Sequence, residues 1–110
     1  MEKVTLFHLE NEVICIDIQL YFNEKDQLYF DGYDIGKRVE EGLGDSDYEY
    51  TYTIEPDEVN KIYFILNVTP GNRLDLLQEI QKKFSGNEAY SKFGEFLNEN
   101  KIKYEGFSWT

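Results

Sequence analysis

At 110 residues the chain has the size of one domain, spanning 1–110, and its 16% aromatic content excludes a disordered polymer despite the charge, because disordered chains lack aromatic residues. A formal net charge of −11, from 22 acids against 11 Lys and Arg, excludes direct nucleic-acid binding by repulsion of phosphate. The single cysteine, Cys15, excludes an internal disulfide and points to a reducing, cytoplasmic setting.

In chain order, residues 4–9 read as a strand, with Val4, Leu6 and His8 on one face and Thr5, Phe7 and Leu9 on the other. Glu10-Asn11-Glu12 is a short turn. Residues 13–22 alternate cleanly: Ile14, Ile16, Ile18, Leu20 and Phe22 share one face, and Cys15, Asp17, Gln19 and Tyr21 the other. That pattern is a half-buried strand, and the two strands predict an opening hairpin. After the polar turn Asn23–Asp26, Leu28-Tyr29-Phe30 predicts a short third strand, broken by Asp31-Gly32. Asp34 is placed to cap a helix over 35–43, with Ile35, Val39 and Leu43 on one side and Gly42 and Gly44 ending it.

Residues 47–54 alternate again, with Tyr48, Tyr50, Tyr52 and Ile54 on one face. Glu55-Pro56-Asp57-Glu58 reads as the first turn of a helix whose buried residues are Val59, Ile62, Tyr63 and Leu66. A strand over 61–68 is the alternative, because that stretch is rich in β-formers. Asn72 is placed to cap a helix over 73–84 bearing Leu74, Leu77, Ile80 and Phe84. Asn87 is placed to cap another over 88–99 bearing Ala89, Phe93, Phe96 and Leu97, and residues 102–109 close the chain as a strand. The expected architecture is α+β, a mainly antiparallel sheet of about five strands with three to four helices on one face, in the order β-β-β-α-β-α-α-α-β. The longest apolar run, Ile62–Leu66, is far too short to span a membrane, and Met1-Glu2-Lys3 opens on no secretory pattern.

No catalytic motif emerges. His8 is the lone histidine, with no nucleophile beside it in sequence, and reads as a strand residue. Cys15 has Glu12 and Asp17 as its nearest charges, the wrong sign for a reactive thiolate. Asp45, Asp47 and Glu49 begin like a calcium loop, but Tyr50 and Pro56 stand where that loop needs Gly and Glu. One His and one Cys make no zinc site. The chain therefore reads as a non-enzyme without cofactor or metal.

The charge is uneven. Residues 31–60 hold ten acids against Lys37 and Arg38, for −8, while residues 1–30 give −4 and residues 61–110 give +1. Such a field attracts basic surfaces. The tyrosines beside it suit contact with Arg and Lys. The candidate partner-binding residues are Asp31, Asp34, Glu40, Glu41, Asp45, Asp47, Glu49 and Tyr48. The segment Asp31-Gly32-Tyr33-Asp34-Ile35-Gly36-Lys37, followed by Gly44-Asp45-Ser46-Asp47-Tyr48-Glu49-Tyr50, resembles a stretch in small acidic bacterial proteins of unknown function. The ending Lys103-Tyr104-Glu105-Gly106-Phe107-Ser108-Trp109 is similar to their C-termini. In size and acidity the chain also resembles, by type, immunity proteins of toxin systems and phage-encoded inhibitors of host defence. The expected function is an acidic inhibitor or immunity-type protein that blocks a basic protein: a toxin, nuclease or defence effector. The alternative is an anti-CRISPR-like imitator of DNA, and less favoured is a small ligand-binding or metal-dependent enzyme domain. An unpaired sheet edge would also allow a homodimer.

Overall fold

The alternation of Ile14, Ile16, Ile18, Leu20 and Phe22 dictates a strand with one dry face, and the fold is built outward from it. In the computed structural model, which describes residues 2–36 and 46–109, with Ser46, Asp47 and Trp109 as backbone only, the strands are β1 Lys3–Glu10, β2 Ile14–Phe22, β3 Leu28–Gly36, β4 Ser46–Ile54 and β5 Glu105–Trp109. They form one five-stranded sheet in the order β1-β2-β3-β4-β5, every neighbouring pair antiparallel. Three helices lie between β4 and β5 in the chain: α1 Pro56–Ile65, α2 Arg73–Phe84 and α3 Ala89–Glu99. The class is α+β. The order among the described residues is β-β-β-β-α-α-α-β, with three helices among them, and it departs from the expected β-β-β-α-β-α-α-α-β in that β3 continues into the start of the expected 35–43 helix.

The correction turns on Gly32. Read as a break, it ended the third strand at Phe30; instead β3 runs through it to Gly36, in unbroken register with both neighbours. Gly32 pairs with Tyr50, and a side chain at Gly32 would collide with the Tyr50 ring. The missing Cβ is thus room for an aromatic neighbour and no end to the strand. Ile35 and Gly36 belong to the strand, and the rest of the predicted 35–43 helix lies outside the described residues.

A second correction lies in β1. The register with β2 shifts between Thr5 and Phe7, leaving Leu6 as an inserted residue. This bulge changes the phase of the strand. Phe7 pairs with Ile18 and Leu9 with Ile16, on the side of Val4 and Leu6, while His8 pairs with Asp17 on the opposite side. Burial of Leu6 together with Phe7 is the physical return for the bulge, since simple alternation would have placed one of them in water.

The three helices cover one face of the sheet. The continuous core joins Ile16, Ile18, Leu20, Phe22, Leu28, Phe30, Tyr52 and Ile54 to Val59, Ile62, Leu76, Leu77, Ile80, Phe93 and Leu97. Phe30 stacks on Phe93 with ring centroids 5.6 Å apart, and Tyr52 lies parallel to Tyr90 at 4.2 Å. Residues 57–65 are helical as the Pro56 start implies, and not a strand. In α2 the buried residues are Leu76, Leu77 and Ile80, while Leu74 is largely exposed, so the buried stripe is rotated from the expected one. Asn72 stands at the N-cap of α2 as expected, but its side chain makes no capping bond and its amide donates to Asp75 Oδ2 at 2.8 Å; at α3 the N-cap is Glu88 and not the expected Asn87.

The outer edge of β1 is partly closed. Gly86 N–H donates to Leu6 O at 2.9 Å and Gln81 Nε2 donates to Thr5 O at 2.8 Å. Glu58, in the first turn of α1, accepts from Lys103 N–H at 2.8 Å and from Lys61 Nζ at 2.9 Å, tying α1 to the segment that leads into β5. No helix among the described residues is long and apolar enough to cross a membrane.

Candidate partner-binding surface

Antiparallel pairing sorts the strand residues by parity. The odd-numbered positions of β2, β3 and β4 fall on the face away from the helices. Four registers cross it: Tyr21–Tyr29–Thr53, Gln19–Asp31–Thr51, Asp17–Tyr33–Glu49 and Cys15–Ile35–Asp47. β1 adds Lys3, Thr5 and His8 beside Tyr21, Gln19 and Asp17, and β5 adds Phe107 beside Thr51. This is the open face of the sheet.

The predicted binding residues do not form one surface. Asp31 and Glu49 stand on the open face, on adjacent strands and two residues apart along the sheet. Asp34 and Tyr48 pair with each other on the helix-bearing face. Asp34 is used there by the fold: Tyr50 Oη donates to its Oδ1 at 2.6 Å. Glu40, Glu41 and Asp45 lie outside the described residues, and Asp47 holds the register position opposite Ile35. The tyrosine stripe divides as well. Tyr50 and Tyr52 are buried, and Tyr48 is 41% exposed. Burial, then the Asp34 bond, holds the Tyr50 phenol far above its ordinary range, so it stays a hydrogen-bond donor.

The open face brings together residues from β1, β2 and β3 that the sequence cluster omitted. Tyr21 and Tyr29 lie 5.5 Å apart, ring to ring, at a 52° tilt. Lys3 Nζ sits 4.9 Å from the centroid of the Tyr21 ring. Asp31, half-buried beside them, has its carboxyl held above the usual range, first by burial; the Lys3 charge pulls it down and Asp17 pushes it up. Burial, Asp31 and Tyr29 together raise the Tyr21 phenol. Next along the face, His8 Nδ1 lies 3.1 Å from Asp17 Oδ1, and Gln19 Nε2 donates to the same oxygen at 2.9 Å. Thr5 Oγ1 donates to Gln19 Oε1 at 3.1 Å, which completes a polar chain across β1 and β2. One signal for this grouping was in the sequence: Asp17, Gln19 and Tyr21 share the polar face of the cleanest strand.

The charge divides along the chain. Residues 56–104, which contain all three helices, hold seven acids and seven bases and are neutral overall. The remaining residues hold fifteen acids and four bases, the whole of the −11. On the open face the described acids include Asp17, Asp31, Glu49 and Glu105, against Lys3. Among the described residues, no three His, Cys, Asp or Glu side chains gather as a metal-binding group. Cys15 is half-buried on the open face, diagonal to His8 in the β1–β2 register, and the two make no hydrogen bond. A surface hollow of about 610 Å3 lies elsewhere, on the helix layer, beside Tyr63, Phe64 and Pro70.

No family model, curated protein or solved structure matches the chain.

Proposed function

We propose that the protein is a non-enzymatic, cytoplasmic inhibitor or immunity-type protein that binds and blocks a basic, nucleic-acid-handling protein. The observation that carries this reading is the uneven charge: residues 56–104, which contain all three helices, are neutral overall, while the described residues outside them hold twelve acids against two bases. A molecule with unevenly distributed charge orients itself in the field of a cationic partner before contact. Its open sheet face offers aromatic area next to carboxylates, the composition that desolvates and pairs Arg and Lys side chains.

The test is kinetic. A basic protein captured from host lysate at low salt is purified, and its association with this protein is followed by stopped flow across a salt series. Steered association falls steeply as the Debye length shrinks from about 10 Å at 0.1 M salt to about 3 Å at 1 M. A rate that stays flat across that series defeats the reading. Competition by duplex DNA for the same partner separates an imitator of DNA from an inhibitor that covers another surface.

A further inference from the structure

We infer that the docking surface is the open sheet face, and that its occupant is a basic protein segment presenting arginines, the first of which enters a cradle of Tyr21, Tyr29 and Asp31 that Lys3 fills in the free protein. This inference rests on the basic-partner reading above. It adds the face, the residues and the side-chain chemistry.

Three observations support it. First, the cradle has the composition of a guanidinium site: two tilted rings 5.5 Å apart and a carboxylate diagonal to one of them in the register. A guanidinium stacks on a tyrosine ring while donating two hydrogen bonds to a carboxylate, and it sheds water more readily than an ammonium. Second, the chain supplies its own cation there. Lys3, exposed on β1, holds its Nζ 4.9 Å from the Tyr21 centroid, so an internal ammonium already marks a place for positive charge. Lys3 is exposed, which makes its displacement cheap beside that of a core contact. Third, the charge around the cradle matches a multiply basic occupant. Asp17 and Glu49 flank Tyr33 in the next register, about 10 Å apart across two strand spacings, with Asp31 about 7 Å along the strand from that register. Arginines at alternate positions of an extended segment have the latter spacing.

The experiment uses the full chain and a blocked dodecapeptide alternating arginine and threonine, with a lysine-threonine peptide for comparison. Affinities come from calorimetry at low salt, and the site from amide chemical shifts. The expected result is shift changes gathered on Gln19, Tyr21, Tyr29, Asp31 and Thr51, tighter binding of the arginine peptide, and a loss of about tenfold or more in Asp31→Asn. Tyr21→Leu weakens binding, and Lys3→Met strengthens it by vacating the cradle. Dispersed amide spectra show that each variant is folded. Shift changes gathered instead on the Asp34–Tyr48 end or on Glu55–Glu58 would overturn the docking face while leaving the basic-partner reading intact. So would an Asp31→Asn affinity equal to that of the parent. Failure of both peptides to bind at low salt removes the basic-partner reading itself.

Discussion

Gly32→Ala probes the joint between β3 and β4 on which the whole sheet register depends. A Cβ at this position would overlap Cδ2, Cε2 and Cζ of the Tyr50 ring. The ring is held from three sides: Tyr90 at 4.9 Å, Tyr48 at 5.4 Å, and the 2.6 Å bond from its hydroxyl to Asp34. Moving it aside forfeits a charge-assisted hydrogen bond of about 1.5–3 kcal/mol and two aromatic contacts of about 0.5–1.5 kcal/mol each. Removing a strand glycine returns about 0.5–1 kcal/mol. The expected net loss is therefore about 2–5 kcal/mol, measured by urea denaturation followed by far-UV circular dichroism. At about 4 °C per kcal/mol for a domain of this size, Tm falls by roughly 10–20 °C. In a Tyr50→Thr background the same change has nothing to strike and becomes neutral or slightly stabilising. The double-mutant cycle then shows a coupling above about 2 kcal/mol. Gly32→Ala within about 0.5 kcal/mol of the parent in both backgrounds would refute the packing argument.

Two further predictions concern pH. Burial raises the Asp31 pKa above its ordinary value, so the folded state binds the proton more tightly than the unfolded chain. Its contribution to stability is full below the ordinary pKa and is lost as pH rises through the folded value, leaving a cost at neutrality. Asp31→Asn should raise Tm at pH 7 and lose that advantage near pH 3; an equal Tm at pH 7 contradicts the argument. Glu58 has the opposite sign. The Lys103 N–H, then Lys61, hold its pKa below the ordinary value, so its contribution is present above that value and is lost as pH falls through the folded one. Glu58→Gln should lower Tm at neutral pH and converge with the parent in acid, as read by thermal melts across pH 2–7; a constant offset at all pH values would assign the loss to packing.

Much of the architecture was legible locally, and for a definite reason. Strands β2 and β4 announce themselves because one face is dry, so apolar residues recur at every second position from Ile14 to Phe22 and from Tyr48 to Ile54. Helix α1 was placed by Pro56 and the acids of its first turn, and α3 by Ala89, Phe93 and Leu97, all buried. Two errors share one cause. Gly32 looks like a terminator until the ring of Tyr50, eighteen residues away, is laid over it. The phase of β1 looks regular until the bulge at Leu6 lets Phe7 turn toward the core. Both are decided by a neighbour across the sheet, which a local pattern does not contain.

The candidate site was legible in its chemistry and not in its membership. Composition and charge alone establish an acidic, aromatic-rich, single-cysteine domain, because those quantities do not depend on how the chain is folded. Which carboxylates act together does depend on it. Asp31 and Asp34 are three residues apart and stand on opposite faces, since strand side chains alternate, while Asp31 gains Lys3, Tyr21 and Asp17 as neighbours through hydrogen-bonded pairing of distant segments. Proximity along the polypeptide supplied the type of surface; only the pairing of β1, β2 and β3 decided which side chains share it.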